Sequence, residues 1–134
     1  MPTGLSAIGD DKSIIAMDDQ MWNDFLEAPN EKKKKRAYAA VARVLSHELM
    51  HLNQYKYSRD KYLKEFYYET KLPENCDKWT TPQQKKYENL TSEIEAYAFG
   101  LLVESTILQS KRVSILPTYT NRYKFKKIYL QMKD

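Results

Sequence analysis

The feature that limits the fold most is a long stretch without glycine or proline, which runs from Asn30 to Leu72. Proline breaks a helix and glycine weakens its interior, so a stretch without either favours long helices. Apolar side chains recur in it at steps of three and four residues, at Val41, Leu45, Leu49 and Leu52. Asn30 is a suitable N-cap. We therefore predict an amphipathic helix from near Asn30 and a second helical piece through about Thr70, before Pro73.

The segment "TPQQ" predicts the start of another helix. Thr81 is predicted to cap this helix, Pro82 suits the first helical position, and Gln84 stands where a capping box places Glu or Gln. We expect one long helix from here to near Ser110. Its apolar stripe comprises Tyr87, Leu90, Ile94, Tyr97, Ala98, Leu101 and Leu108.

The remaining segments are shorter. "SIIAMD", Ser13 to Asp18, is a predicted strand because its paired isoleucines favour extended backbone. Residues 19–30 have apolar spacing typical of a short helix or turn that Pro29 closes. The tail from Val113 to Leu130 reads as mixed loop with a candidate edge strand, since aromatic and lysine residues alternate near Tyr123.

Composition agrees with a mainly α (α+β) protein. The chain has 134 residues with three glycines, five prolines and 30% charged residues, which favours helices over a sandwich or barrel. This length predicts a single domain, residues 1–134, with a small, short-stranded sheet. Cys76 is the only cysteine, so a thiolate metal site and an internal disulfide are both excluded.

Charge and hydropathy limit the location and the classes of partner that the sequence predicts. The first 20 residues lack the pattern of a secretory signal, and no segment has the apolar length of a membrane span, so we expect a soluble, cytoplasmic protein. The net charge is +4, and the positive charge is split between Lys32–Arg36 and the C-terminal segment "RYKFKK". A lysine run at a helix start is usually a solvated face, so a nucleic-acid partner is not favoured.

The first predicted helix carries both histidines of the chain in the segment "SHELMH". His47 and His51 are four residues apart, so both imidazoles project from one side of a helix and can bind one metal ion. Glu48 lies about 100° further round the helix, beside the ion. A carboxylate there can take a proton from water whose acidity the metal raises. The pattern therefore divides into two ligands, His47 and His51, and a general base, Glu48.

Two imidazoles leave a catalytic metal site one protein ligand short. With no third histidine and no thiolate partner, that ligand is a carboxylate or belongs to another chain. The candidates are Glu93 and Glu95 in "LTSEIEAYAFGLL". Each lies about 100° from the centre of the apolar stripe, on opposite sides. Helical geometry alone leaves the choice between them open.

Together the segments "SHELMHLNQ" and "SEIEAYAFGLL" resemble the gluzincin metallopeptidases, in which HExxH is joined by a glutamate from a following helix. The resemblance is greatest to the ImmA/IrrE family, whose second motif runs approximately ExEAxxFAxxLL. It implies a minimal zincin-like fold and a peptidase with one zinc ion per chain. By this resemblance Glu93 is the third ligand and Glu95 a neighbouring or surface carboxylate. Ala96 and Phe99 match the motif, while Gly100 stands where alanine is usual.

One departure from the family concerns Tyr97. Gluzincins often have Asp or Asn four residues after the ligand glutamate, where it orients an imidazole. A phenol can form a hydrogen bond, but it brings no carboxylate charge to raise the basicity of a ligand. The resemblance also implies that an extended peptide substrate pairs along the edge of a strand, for which "SIIAMD" is the obvious candidate.

A donor for the oxyanion is expected beyond the metal ion. Tyr119 and Tyr123 in the C-terminal segment are candidates for this role, although each can equally be a packing or surface aromatic residue.

Two other functional hypotheses compete with a peptidase. The short chain, the aromatic tail and Tyr97 fit a zinc-binding subunit that has lost activity and serves in a larger assembly, such as a phage particle. In that case the protein would be associated with a virion rather than the cytoplasm. A nucleic-acid-binding module that uses Lys32–Arg36 is the third hypothesis, and it predicts binding that weakens steeply with salt.

Overall fold

The computed structural model describes residues 4–8, 13–65, 72, 76–109 and 116–133. Helices hold most of these residues, which confirms the prediction of a mainly α protein. The elements in chain order are β1 (Gly4–Ile8), β2 (Ser13–Met17), α1 (Asp19–Leu26), α2 (Glu31–Tyr57), α3 (Arg59–Leu63), a 3-10 turn (Cys76–Lys78), α4 (Thr81–Glu88), α5 (Thr91–Leu108) and α6 (Arg122–Lys133).

The two strands form an antiparallel hairpin. The predicted strand is β2, and it pairs with β1 in a register that runs from Gly4 opposite Met17 to Ile8 opposite Ser13. The sequence analysis missed β1, which carries no apolar run of its own and is identifiable mainly through its partner. Both strands contact α2, so the hairpin packs against the helix that carries the histidines.

The long helix α2 begins where its sequence predicts. Asn30 is its N-cap, and the Asn30 side chain accepts a hydrogen bond from the Lys33 backbone N–H at 2.9 Å. The helix runs without interruption to Tyr57. The second helical piece exists as α3, but the predicted extension to Thr70 lies outside the described residues beyond Glu65.

The helix predicted to run from Thr81 to near Ser110 is in fact two helices, so that prediction was wrong. Helix α4 ends at Glu88, Leu90 adopts an extended conformation with ψ at 136°, and α5 starts at Thr91. The cause lies in the tertiary structure. The Asn89 side chain donates to the backbone carbonyl of Tyr119 and accepts from the backbone N–H of Asn121, and these bonds hold the chain in a turn.

The ends of this region also differ from the predicted positions. The capping box is formed by Thr80 and Gln83, one residue earlier than the predicted pair of Thr81 and Gln84. Pro82 is therefore at the second helical position. At the other end α5 stops at Leu108, where Gln109 adopts a left-handed conformation with φ at 52°.

The C-terminal segment forms α6, so the prediction of loop and edge strand was wrong. Four side chains, Phe125, Ile128, Tyr129 and Met132, recur at helical spacing and pack on α5. Asn121 caps the helix by accepting a hydrogen bond from the Lys124 backbone N–H at 3.0 Å. The short alternation around Tyr123 resembles a strand, but it is too brief to outweigh the longer helical period.

Helix α5 packs between α2 and α6. Its contact with α2 is the most extensive in the described structure. Toward α6 it contributes Ile94, Ala98 and Leu101, which are buried together with Phe125. Among the described residues, no helix has both the length and the apolar character needed to cross a membrane.

The contact between α2 and α5 is close at Gly100. A Cβ atom at this position would lie 2.7 Å from the backbone oxygen of Arg43, which is shorter than a normal contact. Near this point the Arg43 side chain donates to Glu104 at 3.2 Å. Gly100 therefore permits a closer approach of the two helices than the alanine that is usual in the ImmA/IrrE motif.

Candidate metal centre

The site lies where α2 passes the first turn of α5. His47 and His51 come from α2, and Glu93 comes from α5. His47 Nε2 lies 3.0 Å from Glu93 Oε1, and His51 Nε2 lies 3.1 Å from Glu93 Oε2. One carboxylate therefore faces both imidazoles, with one oxygen directed at each ring.

These three residues form a candidate site for a metal ion. Each offers one ligand atom, and the three atoms lie within 4.8 Å of one another. The side chains of His47, His51 and Glu93 are 12%, 8% and 3% exposed. Such burial is costly for a lone carboxylate, so Glu93 needs positive partners.

The electrostatics of the cluster follow from this geometry. Burial alone would raise the pKa of Glu93, but hydrogen bonds with His47 and His51 outweigh it and lower that pKa to about 2. Burial opposes protonation of His51, yet the hydrogen bond with Glu93 and the Glu93 charge prevail, and the His51 pKa is raised. The buried Glu93 carboxylate is therefore ionised, and it favours a positive charge at each of the two imidazoles.

The structure separates Glu93 from Glu95, which helical geometry could not do. Glu93 points to the imidazoles, whereas Glu95 accepts a hydrogen bond at 3.2 Å from the side-chain amide of Gln54. Gln54 also contacts His51, with its Oε1 atom 2.9 Å from Nδ1. The sequence analysis did not identify Gln54, because the significance of its position depends on α5.

Glu48 follows His47 on α2 and is buried, with 6% exposure. Its charge contributes to the raised pKa of His51 and to the raised pKa of Tyr97. Glu48 therefore acts electrostatically on the residues of this cluster. A buried carboxylate beside two imidazoles can exchange a proton with a bound water or substrate.

Tyr97 and Tyr87 adjoin the cluster. The Tyr97 ring meets the His47 ring edge-on at a centroid distance of 4.4 Å. Burial and the nearby Glu93 charge raise the pKa of Tyr97 to about 12, so this phenol stays neutral. Burial likewise raises the pKa of Tyr87, whose phenol forms a hydrogen bond with Glu93. The sequence analysis assigned Tyr87 only to the apolar stripe and missed this contact.

The two tyrosines predicted as oxyanion donors lie on the C-terminal segment. The Tyr119 ring is 5.4 Å from Lys85 Nζ, and its backbone N–H donates to Glu88. Tyr123 is 81% exposed on α6. Among the described contacts, neither ring reaches the cluster. Tyr87 and Tyr97 do, and so does Tyr62, whose ring centroid lies 6.1 Å from that of His51.

The start of α5 is held by a residue from another element. Helix α5 has no capping side chain of its own at Leu90. Instead Glu65, just after α3, accepts a hydrogen bond from the Ser92 backbone N–H at 3.1 Å. This contact satisfies a free N–H at the helix start and fixes the turn that carries Glu93.

A comparison of the chain with protein-family models, with curated proteins and with solved structures finds no match in any of the three.

Proposed function

We propose that the protein is a zinc-dependent peptidase with a minimal zincin-like domain. The observation that carries this proposal is the convergence of His47 and His51 on the carboxylate of Glu93, with Glu48 beside them on the same helix. Two imidazoles and one carboxylate form a ligand set typical of catalytic zinc. The site residues are therefore His47, His51 and Glu93 as ligands and Glu48 as the general base.

The spacing of the three groups supports zinc. Two ligand atoms that each lie about 2.0–2.2 Å from one zinc ion at a tetrahedral angle are separated by roughly 3.3–3.6 Å. The two nitrogen–oxygen distances in the cluster are 3.0 and 3.1 Å. Small side-chain rotations are sufficient to reach the larger separation. Three protein ligands leave a fourth position for water or substrate.

The protein residues have distinct roles in hydrolysis. Zinc supplies a Lewis acid that acidifies water and polarises a carbonyl group. The Glu48 carboxylate takes the proton from the attacking water and transfers it to the departing amine. Tyr97 and Tyr87, both neutral phenols beside the ligand residues, are candidate donors for the developing oxyanion. The substrate is a peptide in extended form, and the β2 strand is the candidate edge for pairing with it.

The decisive experiment is Glu48→Gln. This change keeps the size of the side chain but removes the base, so we expect cleavage of a peptide library to fall at least about 100-fold. Zinc content should remain near one ion per chain because Glu48 is not a ligand. Glu27→Gln, the same change at an exposed position, is the matched control and should cleave as the wild type does. Full activity of Glu48→Gln would exclude this mechanism.

Tyr97 supports a second candidate function, a zinc-binding subunit without peptidase activity. A neutral phenol lies against His47 where the resemblance expects an acidic residue. Without that negative charge the metal site loses one means of raising ligand basicity. Such a protein would bind zinc, cleave no peptide, and be found as a stoichiometric component of a larger assembly such as a phage particle. Purified protein with full zinc content and no turnover would favour this candidate.

A further inference from the structure

The Gln54 side chain forms hydrogen bonds both with the metal candidate and with α5. It is buried, with 6% exposure. Its Nε2 atom donates to the Ser92 backbone carbonyl at 2.9 Å and to Glu95 Oε2 at 3.2 Å. Its Oε1 atom lies 2.9 Å from His51 Nδ1. All the hydrogen-bonding groups of this amide are therefore directed at named partners.

The partners of the amide determine its orientation. Ser92 offers a carbonyl and Glu95 a carboxylate, and both of these groups only accept hydrogen bonds. The NH₂ end of Gln54 must therefore face them, which leaves Oε1 facing His51. Because an amide oxygen only accepts, His51 must donate from Nδ1–H. The amide thus determines which nitrogen of His51 carries a proton.

This assignment determines what the other nitrogen presents. With the hydrogen on Nδ1, the Nε2 atom of a neutral imidazole has a lone pair. That lone pair faces the Glu93 carboxylate oxygen 3.1 Å away. Two electron-rich atoms at this distance require a positive species between them, which is a proton in the metal-free protein and a metal ion when one is bound. Gln54 therefore orients His51 as a metal ligand through Nε2.

The hydrogen bond from Gln54 to Glu95 adds a charge to this arrangement. A carboxylate that accepts from an amide N–H polarises the amide, and its oxygen becomes a stronger acceptor. In many metal sites a carboxylate contacts the ligand imidazole directly and raises its basicity. Here Glu95 contacts the Gln54 amide, and the Gln54 amide contacts His51.

We propose that Gln54 is a positioning residue for His51, and that Glu95 strengthens the His51–metal bond through the Gln54 amide. This proposal rests on the metal site of the proposed function but not on peptidase activity. It assigns a role to Glu95, which helical geometry left as an alternative ligand.

The test is zinc affinity, measured by competition with a chromophoric chelator at fixed pH. Gln54→Leu should weaken zinc binding by about 10- to 100-fold, the effect typical of removing such a support. Glu95→Gln should weaken it by a smaller factor. In the Gln54→Leu background, Glu95→Gln should cause no further loss, because its effect passes through the amide. Gln131→Leu, the same change at an exposed position of α6, is the matched control.

If Gln54→Leu fails to fold, a charge exchange provides a second variant, which keeps polar side chains at both positions but leaves the Ser92 carbonyl without its donor. The double variant Gln54→Glu with Glu95→Gln presents a carboxylate to His51 and an amide behind it. The acceptor for Nδ1–H is restored, so zinc affinity should return to within about tenfold of the wild type. Gln54→Glu alone places two carboxylates together and should bind zinc more weakly than the double variant.

A spectroscopic measurement separates orientation from general stability. Imidazole ¹⁵N shifts of the zinc-loaded protein should show His51 with a protonated Nδ1 and a metal-bound Nε2. Coordination through Nδ1, or wild-type zinc affinity in Gln54→Leu, would overturn the role of Gln54. An undiminished effect of Glu95→Gln in the Gln54→Leu background would overturn the role of Glu95. His47→Ala removes a ligand, so its loss of zinc affinity shows that the assay reports this site. If the protein binds zinc but cleaves no peptide, only the proposed peptidase function is refuted, and the roles of Gln54 and Glu95 stand.

Discussion

At the scale of single residues, the site is defined by a buried anion between two imidazoles. The spacing of His47 and His51 was readable from the sequence because it depends only on helical geometry. Helical geometry alone could not choose between Glu93 and Glu95, since that choice depends on how α5 is rotated against α2, and only the family resemblance favoured Glu93. Gln54 and Tyr87 were missed for the same reason, because their partners lie on other elements.

The metal-free protein should show a stability that depends on pH through this cluster. The Glu93 pKa is lowered from 4.5 to about 2, so its contribution is present above about pH 4.5 and is lost as the pH falls through 2. The His51 pKa is raised above 6.5, so its contribution is present below 6.5 and is lost as the pH rises through the raised value. The cluster therefore stabilises most between these limits, with about 3 kcal/mol from Glu93.

Urea unfolding in the presence of a chelator, from about pH 3 to pH 9, measures this dependence. Glu93→Gln removes the anion, so its stability should vary less over the range and should be lower than that of the wild type near pH 5 to 6. Glu27→Gln is exposed and serves as the control. Parallel curves for the wild type and Glu93→Gln would contradict the electrostatic role of Glu93.

At the scale of elements, the sequence predicted correctly those helices and strands whose start or extent depends on neighbouring residues. Asn30 and the uninterrupted stretch after it marked α2 correctly, because capping and helical propensity act within a few residues. The interruption between α4 and α5 depends on hydrogen bonds from Asn89 to residues some thirty positions away. The strand β1 is identifiable through its pairing with β2, and the helix α6 through its packing on α5. The missed features therefore all depend on distant contacts.

Gly100→Ala tests how closely α2 and α5 must approach. Alanine is the better helix former by up to about 1 kcal/mol, so propensity alone predicts stabilisation. The added Cβ would instead lie 2.7 Å from the Arg43 carbonyl oxygen. We expect destabilisation by roughly 1–3 kcal/mol. Zinc affinity should also fall, because the ligands are divided between the two helices.

Thr106→Ala is the matched control for this change, since it raises helix propensity at an exposed position of the same helix. It should be neutral or slightly stabilising in urea unfolding and should not alter zinc affinity. If Gly100→Ala stabilises the protein as well, the close approach of the helices is not a constraint.

At the scale of the whole molecule, the metal candidate joins distant parts of the chain. His47 and Glu93 are separated by 46 positions, so the three groups meet only when α2 and α5 have packed. A metal ion bound there would hold together the two helices with the most extensive contact in the described structure. Metal binding and folding should therefore be coupled.

Zinc should raise the melting temperature of the protein. At a free concentration about 100-fold above its dissociation constant, a ligand adds roughly 2.7 kcal/mol, which for a chain of this size raises Tm by roughly 10 °C. Chelation of the zinc should reverse this rise in Tm, and zinc should raise the Tm of His47→Ala only slightly. Scanning calorimetry of both proteins, with zinc and with chelator, makes the comparison. An equal rise in His47→Ala would place the zinc elsewhere.

The interruption between α4 and α5 has an electrostatic consequence for the site. Because a new helix begins at Thr91, Glu93 is its third residue and lies among backbone N–H groups that have no carbonyl partner within the helix. The helix dipole favours a negative charge there by about 0.3–1 kcal/mol, and more when the group is partly buried. In a continuous helix from Thr81, the same glutamate would lie mid-helix and gain nothing from the dipole. The turn at Asn89 therefore makes the backbone itself a source of positive potential, which adds to the effect of the two imidazoles in favouring the ionised form of Glu93.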